Sequence, residues 1–213
     1  MSTTMNLLII GATRGIGREL AKQALASGHR VTALARHPER LAIEHERLRK
    51  VQGDILDAQS LSGAMAGQNA ICCAIGVKTP WEQSGVFSKG TERLLHAMKG
   101  NAVRRLICVT GIGAGDSRGH GGLLYDRVLF PLLLKSVYAD KDRQEALIRA
   151  ADIDWTIVRP GFLTNGPLTG SYRALTDLSG VTAGRISRAD VAHFMLQELS
   201  ANRYLRQTPL LTY

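Results

Sequence analysis

Long apolar runs are missing from this chain. The longest apolar region, Val128 to Val137, is interrupted by Pro131 and Lys135. It falls well short of the roughly 18 residues that a bilayer crossing needs. Met1 to Asn6 carries no basic stretch, and Leu7 to Ile10 is too short for a secretory core. The expectation is therefore a cytoplasmic protein without membrane attachment. Cysteine is scarce as well. Cys72, Cys73 and Cys108 form no C-x-x-C and no His/Cys metal spacing. Neighbours such as Cys72 and Cys73 point to opposite faces of a strand, which strains mutual pairing. Reduced cysteines in a core are expected, and no metal. There is no basic run, no aromatic stacking pattern and no helix-turn-helix signal, so a nucleic-acid partner is not expected.

What is present fits one folded domain spanning 1–213. Hydrophobic residues make up 45% of the chain and charged residues 21%, an ordinary balance for a globular protein. Lysine and arginine number 27 against 18 acidic residues, a formal charge of +9. With nucleic acid and membrane disfavoured, that excess points to a phosphorylated small molecule.

Short apolar runs recur at Leu7–Ile10, Val31–Ala35, Ala70–Ile75, Leu106–Val109 and Trp155–Val158. They lack strict alternation, as strands buried on both faces do. Helix-period segments lie between them, at Gly15–Ser27, Ser84–Lys99, Lys141–Ala151 and Arg188–Leu199, the last with Ser187 as N-cap. Alternating strands and helices predict an α/β fold with a parallel sheet. The spans 111–122 and 160–184 are left as the segments that would hold a second ligand. Trp81 and Trp155 are read as packing anchors, and His193 as a surface or helix-end residue.

The first strand runs straight into Gly11-Ala12-Thr13-Arg14-Gly15-Ile16-Gly17 and then an amphipathic helix. Gly11 permits the tight turn, Gly15 the approach of a pyrophosphate, and Gly17 close packing of the helix. Amide groups and the helix dipole then favour phosphate. The strand before and the helix after make this a dinucleotide-binding reading. The second strand ends in Arg36-His37-Pro38, where an acidic residue would favour NAD. A guanidinium pairs instead with a 2′-phosphate, so Arg36, with Arg14 as second candidate, points to NADP(H). Asp54, followed by Ile55, either accepts from an adenine amino group or caps the helix beginning near Asp57. Ala74-Ile75-Gly76 is a small-residue strand end that lets a cofactor approach.

Gly11–Gly17, the Arg36 strand end, Gly53-Asp54, Val109-Thr110 and Asp154-Trp155-Thr156-Ile157-Val158-Arg159-Pro160-Gly161 resemble the atypical short-chain dehydrogenase/reductase superfamily, in its NmrA-like, NAD(P)H-binding branch. The resemblance covers nearly the whole chain. Pro167 to Tyr172, Arg185-Ile186-Ser187 and His193-Phe194-Met195 are similar to the biliverdin and flavin reductases of that branch. It implies a single-domain, three-layer αβα, Rossmann-like doubly wound parallel sheet. It also implies NADPH at the strand C-termini and hydride transfer to a planar conjugated acceptor such as a flavin, quinone or biliverdin. By the same resemblance Lys78 and Arg185 match basic residues near the cofactor phosphates. Thr110, Pro160 and Gly161 match the nicotinamide pocket, with Gly111 and Phe162 adjoining it. Phe162 and Leu163 belong either to an acceptor pocket or to the core.

The sequence departs from the family in its proton relay. The usual tyrosine and lysine stand four apart on one helix; Tyr138 and Lys141 are three apart. Lys141 and Glu145 have the four-residue spacing, which an exposed surface pair would share. Biliverdin-reducing relatives carry serine where Gly111 stands and histidine where Gly161 stands, which weakens that substrate specifically. Thr110, Tyr138 and Lys141 are the candidate catalytic residues. The leading expectation is an NADPH-dependent reductase, as a monomer or small homo-oligomer. The second is a non-catalytic NADP(H) sensor.

Overall fold

Apolar runs of four to seven residues are too short for helices and too uniform for half-exposed strands, and they stack side by side here. A computed structural model describes residues 4–77, 85–122, 126–127 and 134–213. Its strands are β1 (Asn6–Ile10), β2 (Arg30–Ala35), β3 (Leu48–Gln52), β4 (Ala70–Cys73), β5 (Arg105–Val109), β6 (Asp154–Pro160), β7 (Phe162–Thr164), β8 (Arg173–Leu175), β9 (Arg185–Ser187) and β10 (Leu210–Thr212). The helices are α1 (Gly15–Ala26), α2 (Ala58–Met65), α3 (Val86–Gly100), α4 (Lys135–Ala150) and α5 (Arg188–Ala201). Eight strands form one sheet in the order β3-β2-β1-β4-β5-β6-β10-β8, parallel except for β8. β7 and β9 pair separately.

Alternation along each strand feeds two cores. Leu7, Ile9, Val31, Cys72 and Val109 face α1 and α5. Leu8, Ile10, Leu34, Cys73 and Cys108 face α2, α3 and α4. The chain reverses direction of winding between β1 and β4, which places α1 and α3 on opposite faces with a crevice at the strand ends. All three cysteines are free and buried. Burial pushes the Cys72 thiol up to about 12.

Three helices carry a side-chain cap. Asp57 accepts from Gln59 and Ser60 at α2, and Ser187 accepts from Asp190 at α5. Buried Asp140, from α4, accepts from the Phe87 and Ser88 amides at α3. Helix α1 differs. Its N-cap, Arg14, makes no capping hydrogen bond, and its first turn holds no acid. Its first amides are thus left for another acceptor.

Several sequence expectations shift. Helix α4 begins at Lys135 rather than Lys141, because its first turns are polar or buried by long-range contact. The span 160–184, expected to be loop, contains β7 and β8. Both are three residues long, too short to show periodicity.

Candidate active site

The glycine loop joins β1 to α1, and its glycines are needed for space. A Cβ on Gly11 would lie 2.6 Å from the Ala74 carbonyl oxygen, and Gly11 has φ +89°. A Cβ on Gly17 would lie 2.3 Å from the Gly11 carbonyl oxygen. So Gly17 packs the helix against the loop itself. A cleft of about 520 Å³ opens beside it. Gly11, Thr13, Arg14, Arg36, Asp54, Ile55, Ala74, Ile75 and Gly76 line this cleft, so the structure gathers residues predicted from four separate strand ends. Ala12, Ile16 and Gly17 are buried behind them. Arg14 donates to the Gly76 carbonyl at 3.2 Å and ties the loop to the β4 end.

One residue that the sequence reading missed also lines the cleft. Arg40 closes a 3-10 turn, Pro38–Arg40, and joins Arg36 at the same mouth. The signal was present as Arg36-His37-Pro38-Glu39-Arg40, where proline starts a tight turn that folds the second arginine back. Among the described residues neither arginine has an acidic partner; Glu39 pairs with His37 instead. Asp57, not Asp54, caps α2. Asp54 accepts from the Leu56 amide at 2.9 Å and stays at the cleft.

The candidate catalytic residues stand where β5 ends. The Thr110 hydroxyl donates to Glu145 at 2.8 Å, away from the crevice. Glu145 is 2% exposed and holds the fully buried Arg159 through two bonds, of 3.0 and 2.6 Å. Arg159 also reaches Asp116 at 2.6 Å. Lys141 and Glu145 are therefore not a surface pair. The Lys141 ammonium donates to the Thr110 carbonyl at 2.5 Å, and burial lowers it to about 8. It lies 4.9 Å from the Tyr138 ring centre. A Cβ on Gly111 would lie 3.1 Å from the Tyr138 hydroxyl and 3.5 Å from the Lys141 nitrogen. Three-residue spacing thus still brings a phenol and an ammonium together, over a glycine.

Beyond β6, buried Gly161 lets two segments cross: its Cβ would lie 2.4 Å from the Gly184 carbonyl oxygen. Pro160 ends β6, and its carbonyl accepts from Ile112. Phe162 and Leu163 are 38% and 37% exposed, so they are not core residues. Arg185 lies in register with Phe162 across β7 and β9. The cation that reaches the glycine loop is instead Arg188, whose Cδ and Nε would lie 3.7 Å from a Cβ on Gly15. Lys78 and Trp81 lie outside the described residues. His193 is half-buried, with the Tyr172 hydroxyl on its Nδ1 at 2.8 Å, rather than free on the surface. Among the described residues no helix is long and apolar enough to cross a membrane.

A glycine loop after β1, an uncapped α1, and a sheet whose first six strands run 3-2-1-4-5-6 in parallel define a Rossmann-type nucleotide-binding domain. The NAD(P)H-binding family model matches residues 11–202, and the chain belongs to that family. It is 28% identical to an uncharacterised chloroplastic protein of Arabidopsis thaliana, over 92% of this chain and 72% of that one. A short-chain dehydrogenase/reductase of Veillonella parvula in complex with NADP superposes with a TM-score of 0.83 at 18% identity, over 99% and 95% of the two chains. The anaerobilin reductase ChuY of Escherichia coli O157:H7 superposes at 0.79 with 23% identity, over 97% and 96%.

Proposed function

We propose that this protein is an NADPH-dependent reductase of a planar conjugated acceptor. The observation that carries the reading is the crevice itself. Its mouth has two exposed arginines without acidic partners among the described residues, and next to Phe87 of its lining stands the Lys141 ammonium, which sits with the Tyr138 phenol over Gly111. Gly11–Gly17 and the open α1 amides suit a diphosphate, and Arg36 with Arg40 suits a 2′-phosphate. Asp54 would meet the adenine. When bound, the nicotinamide supplies a hydride. Tyr138 and Lys141 hold a proton beside Gly111, and an ammonium near 8 can release it at neutral pH. Thr110 acts through Glu145 and Lys141 as a positioning residue. Phe162 and Leu163 offer an apolar face to the acceptor and exclude water. The reductase activity named for ChuY is consistent with such an acceptor.

The sensor reading has one observation in its favour: the Thr110 hydroxyl faces Glu145 and not the crevice. Anaerobic NADPH oxidation with flavin mononucleotide, a quinone and a linear tetrapyrrole separates the two. Turnover with any of them supports the reductase. Tight NADPH binding without turnover on all three supports the sensor.

A further inference from the structure

Arg188 occupies an unusual place. It is the first residue of α5, at the positive end of that helix dipole, where a cation is disfavoured. The acid of that first turn, Asp190, gives its oxygens to Thr169, Gly170, Ser187 and Tyr213. Among the described residues no carboxylate pairs with Arg188. Among the same residues its polar contact is the Asn165 side-chain oxygen, which accepts from Nη1 at 2.8 Å. The guanidinium stem runs over Gly15, whose φ of +57° turns the loop at the open end of α1. The open end of α1 and one guanidinium thus meet at Gly15, with no carboxylate among the described residues paired to that guanidinium.

We propose that Arg188 is a ligand of the cofactor diphosphate, reaching across from α5 to close the site that the glycine loop forms from below. This rests on the NADPH reading of the crevice and adds a residue to it. Asn165, in the segment following β7, sets the guanidinium plane. The same side chain therefore links the diphosphate to the segment that carries Phe162 and Leu163. Arg36 and Arg40 determine whether a 2′-phosphate is present; Arg188 responds only to the diphosphate.

The test uses two probes on the full chain, NADPH and adenosine 2′-monophosphate, which has no diphosphate. Dissociation constants are measured by calorimetry for wild type, Arg188→Gln, Arg188→Lys and Arg36→Asp. Arg188→Gln keeps the first part of the stem and a polar tip but removes the charge and the Nη1 group that Asn165 accepts from. It should weaken NADPH by about tenfold or more, the size of one charge-assisted contact, and leave the monophosphate unchanged. Arg188→Lys should recover part of the loss. Arg36→Asp should weaken both probes. Unchanged NADPH binding in Arg188→Gln overturns the proposal, and so does an equal loss for both probes. A wild type that binds neither probe overturns the cofactor reading instead.

Discussion

Substituting alanine for glycine at two helical positions should move stability in opposite directions. At Gly17 the new methyl would sit 2.3 Å from the Gly11 carbonyl oxygen and 2.8 Å from its carbon, about 1 Å inside ordinary contact. Both neighbours are backbone, so a rotamer change cannot relieve the clash. Overpacking of this kind costs about 1–3 kcal/mol. With the unrelieved backbone clash in the upper part of that range, about 2–3 kcal/mol, and alanine regaining about 1 kcal/mol of helix propensity, the net loss is about 1–2 kcal/mol. For a chain of this size that lowers the melting temperature by about 2–8 °C. At Gly63 in α2 a Cβ meets nothing within 4 Å. Gly63→Ala keeps the propensity gain alone and should raise the melting temperature by up to about 4 °C. Calorimetry reads both, and NADPH titration on the same samples should show weaker binding only for Gly17→Ala. A Gly17→Ala protein as stable as wild type, with unchanged NADPH affinity, would refute the close approach of α1 to its own loop.

Three further outcomes follow from the buried groups. Arg159→Met leaves the Glu145 carboxylate buried without its main partner and should cost about 3 kcal/mol or more in urea unfolding. The double substitution Glu145→Leu/Arg159→Met should cost less than that single change, and a larger cost would mean that the pair itself stabilises the fold. Lys141 is depressed to about 8, against about 10.4 in the unfolded chain. The unfolded state then binds more protons between those values, so stability should rise with pH across that window and lose the rise in Lys141→Met. A rise that persists in the variant removes Lys141 as its source. Cys72, Cys73 and Cys108 are at most 1% exposed, so iodoacetamide should label none in the native protein and all three after unfolding. Native labelling would contradict the packing of β4 and β5.

The sheet and the cleft beside its glycine loop were legible because they depend on local pattern. Gly11–Gly17 announces itself through a strand before and a helix after, and Arg36 by standing where an acid is usual. What escaped the sequence was contact made at a distance. Lys141 and Glu145 show the spacing of any exposed helical pair. Only Arg159, brought alongside by β6, shows that Glu145 is buried. Asp140 reads as a surface acid until the N-terminus of α3 packs against it. Arg188 and Gly15 are separated by most of the chain, and no local pattern joins them. Arg40 was missed at short range, because a three-residue turn has no periodicity. His193 lacked a visible partner until Tyr172 folded over it.

The central claim is that the arginine-rich mouth of the cleft selects a 2′-phosphate. Titrating NADPH and NADH against wild type and Arg36→Asp tests it most directly. Charge-assisted contacts from Arg36 and Arg40 predict that NADPH binds about 10- to 100-fold tighter than NADH. Arg36→Asp should remove most of that preference. NADH bound as tightly as NADPH, or a preference untouched by the substitution, would contradict the account.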